Sequence, residues 1–335
     1  MPKIFVSTHP FGALSSRPLE LLRQSRCEFQ INPLERKLTS QEVAEMAANC
    51  DALIAGTENI ALVLEKAPNI KIISRVGIGL DSIPLKECRK RNVVVCYTPD
   101  AVTMAVAELT VGLMLNITRF IHATDRQIRT GVWQRIQGRR LGKSVIGLIG
   151  FGRIGNSVAR LLAPYHPCKV LINDIKDKSS ELQIMRQAGL CVEIVPLSRI
   201  YHESHIISLH VPLNSMTLNL IAEKQLSQMR SDAFLINTAR GGIVNEQALH
   251  EALSEGKLGG AALDVFEEEP YTGSLAELDN VLLTPHMGSC SHDCRAQMEI
   301  EATKEIIRFF QGERLQNEVP EEEYVYQEKY EKFGS

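Results

Sequence analysis

One stretch constrains this chain more than any other: Val145-Ile146-Gly147-Leu148-Ile149-Gly150-Phe151-Gly152-Arg153-Ile154-Gly155. A short β-forming apolar run leads into Gly-x-Gly-x-x-Gly, and helix-like residues 156–162 follow. Each glycine has its own task in such a turn. Gly150 makes the tight bend, Gly152 lets a pyrophosphate approach the backbone, and Gly155 packs helix on strand. The N–H groups at the start of that helix, with its dipole, then bind phosphate.

The rest of the chain supplies the sheet such a turn needs. Apolar runs rich in Val and Ile alternate with amphipathic stretches, first at 3–7, 52–55, 71–76 and 93–96. Helix-like segments lie between them at 18–26, 40–48 (with Ser40 read as N-cap) and 60–66. A second series runs through 144–149, 169–173, 205–209, 233–236, 260–263 and 281–283. This alternation predicts α/β architecture, with parallel sheets covered by helices on both faces. One long helix over 105–129, with Gly112 its only internal breaker, joins the two series, and a last helix follows over 293–310. At 335 residues two domains are expected.

The next strand ends at Asp174, 24 residues past Gly150 and near the spacing of about 20 expected for a ribose-binding acid. A carboxylate there accepts hydrogen bonds from ribose hydroxyls and repels a 2′-phosphate. NAD is therefore the expected cofactor, although Lys176 and Lys178 leave room for NADP. S-adenosylmethionine enzymes share a glycine turn and acidic strand end, so the cofactor class rests on the catalytic residues.

Composition excludes other classes. The 37 Lys+Arg against 40 Asp+Glu give a net charge of -3, with no basic excess for nucleic acid. Six Glu and two Lys between Glu318 and Lys332 account for that deficit, and an acidic extension, mobile or docked on a partner, is expected from Val319 onward. Cysteines at 27, 50, 88, 96, 168, 191, 290 and 294 form no Cys-x-x-Cys pair. Without a His-x-x-x-His pair either, no metal site is expected. The first residues lack a signal-peptide core and no apolar run approaches the ~20 residues of a membrane span. A cytoplasmic, membrane-free protein is the expectation.

Three loops after strands each deliver one ionisable group: Ile236-Asn237-Thr238-Ala239-Arg240-Gly241-Gly242, Leu263-Asp264-Val265-Phe266-Glu267-Glu268-Glu269-Pro270, and Thr284-Pro285-His286-Met287-Gly288. Loops at the carboxyl ends of parallel strands converge on the ligand crevice. With the glycine turn, these motifs make the chain from about Met1 to Glu318 resemble the D-isomer-specific 2-hydroxyacid dehydrogenases.

The resemblance implies a Rossmann NAD domain inserted into a flavodoxin-like substrate domain: 1–101 substrate domain, 102–287 NAD domain, 288–317 return, 318–335 acidic tail. It implies hydride transfer between nicotinamide and C2 of a 2-hydroxy or 2-keto acid. Arg240 would hold the substrate carboxylate, His286 would move the proton, and Glu269 would pair with His286. Further cofactor contacts would be Arg153, Ile154, Ile175 beside Asp174, Val211, Pro212 and Thr217, with Thr238, Ala239, Asp264 and Gly288 on the nicotinamide side. Arg75, Val76 and Gly77 would bind the substrate, Arg75 by a charge-assisted contact to a second anionic group.

The loop at 74–81 resembles the 3-phosphoglycerate dehydrogenase branch, yet Gly56 and Thr57 stand where that branch carries an Arg for phosphate. Arg139 and Arg140 are the candidates to compensate. Asn245 replaces a common Asp as a helix cap. The family's dimer contact is expected on the 105–129 helix. A second reading is the NAD-sensing scaffold of the C-terminal-binding-protein corepressors, which share this architecture.

Overall fold

A computed structural model describes residues 1–331. The chain divides into two compact units, one of Met1–Val102 with the segment from Ser289 onward, the other Thr103–Gly288.

In the first unit five strands, β1 (Lys3–Val6), β2 (Glu28–Ile31), β3 (Ala52–Ala55), β4 (Ile72–Arg75) and β5 (Val94–Cys96), pair in parallel in the order β2-β1-β3-β4-β5. That is the flavodoxin-type order, with its switch point between β1 and β3. In the second unit seven strands follow: β6 (Val145–Ile149), β7 (Lys169–Asn173), β8 (Val192–Ile194), β9 (Ile206–Leu209), β10 (Phe234–Asn237), β11 (Gly260–Leu263) and β12 (Val281–Leu283). Their order, β12-β11-β10-β9-β6-β7-β8, is all parallel and reverses direction between β6 and β9. Central strands such as β3, β4, β9, β10 and β11 are buried along their whole length, as a sheet covered on both faces requires.

Two strands are missing from the sequence reading, and both are edge strands. β2 alternates exposed and half-buried residues, and β8 has only three residues. With one neighbour and a wet face, neither needs a continuous apolar run.

The N-cap of helix Ser40–Ala47 is Thr39, not Ser40. Its hydroxyl accepts from the Glu42 N–H while the Glu42 carboxylate accepts from Thr39 N, a complete capping box. Asn245 does cap its helix, accepting from Ala248 N at 2.8 Å.

The long connecting helix is two helices, Pro99–Thr118 and Ile121–Arg129. The break lies not at Gly112 but at Phe120, whose φ of 55° is left-handed. Helix Pro99–Thr118 also corrects the membrane arithmetic. By length and composition alone its 20 residues, at a mean hydropathy of 1.6, suffice to cross a bilayer. Half of that window is buried inside the structure, as in a core helix.

The acidic tail is not an open chain. Residues Glu321–Glu331 form a helix packed on the first unit, while 332–335 lie outside the described residues.

Candidate active site

The glycine turn lies at the β6/β9 switch point. Gly150 has φ 93°, and a Cβ there would sit 2.4 Å from the His210 carbonyl oxygen; at Gly155 it would meet the Gly150 oxygen at 2.3 Å. Both positions therefore require glycine. Gly152 differs, because nothing lies within 4 Å of its missing side chain. It is the N-cap of helix Arg153–Leu162 and offers no side-chain cap. Open space above uncapped N–H groups is what a dinucleotide pyrophosphate needs, so the residues fit that group.

Asp174, at the end of β7, accepts from Phe151 N at 2.6 Å and Lys176 N at 2.8 Å, tying the strand end to the glycine turn. Ile175 beside it is exposed. Val211 packs close to Gly150, and Thr217 donates to the Pro212 carbonyl at 2.6 Å, closing the turn after β9. His210 escaped the sequence reading. Its enclosed Nε2 has no partner among the described residues, and burial holds its pKa down to about 3, so the ring is neutral.

The three catalytic loops leave the carboxyl ends of neighbouring strands β10, β11 and β12. After β10, Asn237 folds the chain back on itself: its amide donates to the Arg240 carbonyl at 2.9 Å and accepts from Ala239 N at 3.0 Å. Thr238 shares a 2.9 Å hydroxyl contact with Thr110. After β11, Glu269 meets His286 Nδ1 at 2.8 and 3.0 Å. Its neighbour Glu267 is engaged elsewhere, exchanging backbone contacts with Glu246 at 3.2 and 2.7 Å.

His286 has φ 51°, a strained position for a residue with a side chain. Asp264 holds it there. Only 1% exposed, its carboxylate accepts from Thr284 Oγ1 (2.6 Å), Met287 N (2.9 Å) and Gly288 N (2.8 Å), clamping the loop on both sides of the histidine. Sequence motifs marked Asp264 for the nicotinamide and gave no sign of this clamp.

At the carboxyl edge of the first unit's sheet, two of the residues expected to bind substrate have their N–H groups already engaged. Val76 N is already bonded to Ala55 O at 2.9 Å and Gly77 N to Thr98 Oγ1 at 2.8 Å. The N–H groups of Ile78 and Gly79, partly exposed, make no hydrogen bond among the described residues. The ladder runs one residue past β4, and a sequence does not reveal where it stops.

Arg75 is 8% exposed, with Nε on Gly79 O at 3.1 Å and Nη1 on Val76 O. It braces its own loop, where a phosphate grip was expected. Arg139 pairs with Asp232 at 2.7 Å. With Arg140 and Phe234 it lines a cavity of about 550 Å³ at the amino end of β10. The catalytic loops leave the opposite end of that sheet, so neither arginine replaces the missing phosphate ligand there.

Comparison with known proteins gives the family. The profile described as D-isomer specific 2-hydroxyacid dehydrogenase, NAD binding domain, matches residues 111–288. A glyoxylate reductase of Thermofilum pendens is 41% identical over 261 residues, 76% of either chain. A D-3-phosphoglycerate dehydrogenase of Methanocaldococcus jannaschii is 36% identical over 84% of this chain but 54% of its own length. Among solved structures, the TT0316 protein of Thermus thermophilus superposes with a TM-score of 0.84 at 30% identity, over 95% of this chain and 100% of that one. The chain belongs to the D-isomer specific 2-hydroxyacid dehydrogenase family and is an NAD-dependent oxidoreductase acting between 2-hydroxy and 2-keto acids.

Proposed function

We propose that this enzyme reduces a small, unphosphorylated 2-keto acid such as glyoxylate or hydroxypyruvate. The glycine turn of Gly150, Gly152 and Gly155 would hold NADH, which would supply the hydride for C2. Arg240 holds the carboxylate and polarises the carbonyl, with the N–H groups of Ile78 and Gly79 as further donors. His286 gives its proton to the carbonyl oxygen, and Glu269, on the other ring nitrogen, orients the ring and stabilises its positive charge. Asp264 acts by holding the His286 loop in place, and Asp174 receives the ribose hydroxyls.

The observation that carries the choice of acid is Glu58. Its side chain is 3% exposed beside Gly56, at the carboxyl end of β3, and accepts one long hydrogen bond, 3.4 Å from Ser7 Oγ. A buried carboxylate beside Gly56, which stands in the stretch where the phosphoglycerate branch carries an arginine, repels a phosphate dianion. The similarity to a glyoxylate reductase supports the same reading.

Steady-state NADH oxidation on glyoxylate, hydroxypyruvate and 3-phosphohydroxypyruvate tests it. Two unfavourable charges in place of a favourable pair predict kcat/KM at least about a hundredfold lower for the phosphorylated acid. A preference for the phosphorylated acid would sink the assignment.

We further propose a homodimer in the cytoplasm. All eight cysteines are free thiols, as a reducing compartment favours. Met104, Ile121, Ile128, Val132 and Trp133 (79% exposed) leave apolar surface bare on the two connecting helices and the segment after them, which a covering partner would bury. A two-fold contact between copies covers it. Trp133→Glu is expected to shift the dimer to monomer in equilibrium sedimentation. A wild-type monomer at micromolar concentration would refute the dimer.

A further inference from the structure

We propose that the C-terminal segment 317–327 is a positioning element for keto-acid binding, with Gln327 tying down the loop that presents Ile78 and Gly79. This rests on the reading that those two N–H groups receive the substrate carboxylate.

The segment reaches the loop by two routes. Along the first it lies on edge strand β5: Tyr97 N donates to Asn317 O at 3.0 Å and Val319 N to Val95 O at 2.9 Å. The N–H groups of Gln316 and Asn317 are anchored on the buried Glu305 carboxylate at 2.9 and 3.2 Å. The residue after Tyr97 is Thr98, which fastens Gly77 from both sides. Its N–H donates to Gly77 O at 3.0 Å, and its hydroxyl accepts from Gly77 N at 2.8 Å.

The second route runs through the helix Glu321–Glu331. The Gln327 amide nitrogen donates to Leu80 O at 3.2 Å and Ile83 O at 2.8 Å, while its oxygen accepts from Leu85 N at 2.7 Å. That last contact caps helix Leu85–Lys90, whose own N-cap is Pro84 and offers no side-chain acceptor. Tyr324 lies under the Arg89 guanidinium at 4.1 Å, and Glu321 pairs with Arg89 at 2.5 Å, seating the helix.

Ile78 and Gly79 therefore stand between two anchors: Leu80, held directly by Gln327, and Gly77, held by Thr98, the residue after the Tyr97 that pairs with the C-terminal segment. The loop needs such anchors, because Gly77 sits at φ 139° and glycine at two of three positions gives the backbone little stiffness of its own. A loop that visits its binding conformation only part of the time weakens apparent substrate affinity by that fraction.

Gln327→Glu separates the two duties of the side chain. Glutamate still accepts from Leu85 N and caps the helix, but it cannot donate to Leu80 O or Ile83 O. In the full chain, KM for glyoxylate is expected to rise about tenfold, as for a loop competent a tenth of the time. kcat should stay within about twofold, NADH affinity should be unchanged, and amide exchange should quicken across 78–83. Unchanged KM, with or without faster exchange, overturns the proposal. Gly77→Ala distinguishes the failures. If it raises KM while Gln327→Glu does not, only the C-terminal element is wrong. If neither raises KM, the assignment of this loop to the carboxylate fails with it.

Discussion

His286→Ala is expected to lower kcat for keto-acid reduction by about a thousandfold, within the range a positioned acid contributes. NADH binding, followed by nucleotide fluorescence, should be preserved. The ring lies in a loop whose strained backbone is fixed by Asp264 and not by the imidazole, so its removal leaves the clamp intact. Glu269→Gln should cost less, about a hundredfold. An amide can still meet Nδ1 but brings no negative charge to the ring that has to carry a proton. If His286→Ala retained more than a tenth of wild-type kcat, the proton would come from elsewhere and the assignment of the pair at 2.8 Å would be wrong.

How far the sequence carries this site depends on the distance over which each residue's role is decided. Gly150 and Gly155 are legible because part of their constraint is local: a left-handed backbone at the first and the Gly150 oxygen five residues from the second, although the His210 carbonyl that also crowds Gly150 lies sixty residues away. Arg240, Glu269 and His286 are legible as motifs, although only the fold brings Glu269 and not Glu267 to the ring. The errors fall where a role depends on a partner far along the chain. Val76 and Gly77 lose their N–H groups to Ala55 and Thr98, both about twenty residues distant in sequence. Arg139 carries a suitable charge yet projects at the wrong end of the sheet, opposite Asp232. The C-terminal helix shows no strong apolar face in its sequence. Polar contacts from Gln327, the Glu321–Arg89 pair and Tyr324, set against Arg89 and the core, seat it, and none of them leaves a periodic signal.

Gly241 is the position where one added methyl group should do the most damage. A Cβ there would stand 1.8 Å from the Phe266 oxygen, 2.1 Å from its carbonyl carbon and 2.8 Å from Glu267 N. No flexible side chain can yield, since all three atoms are backbone. Relief therefore requires the loop after β10 to separate from the loop after β11 by more than an ångström. The first loop carries Arg240 and the second leads to Glu269, so the separation falls between the carboxylate-binding group and the proton-transfer pair. Gly241→Ala is expected to cost about 3 kcal/mol of stability, the upper range for overpacking, read as a lowered thermal midpoint. In the fraction that stays folded, kcat/KM should fall about a hundredfold, because a shift of that size spoils the alignment of reacting groups. Gly152→Ala is the control on the same unit: its methyl group meets no protein atom within 4 Å, so stability should be kept while NADH affinity falls. Should Gly241→Ala prove as stable and active as the wild type, the close approach of these two loops would not be a feature of the working enzyme.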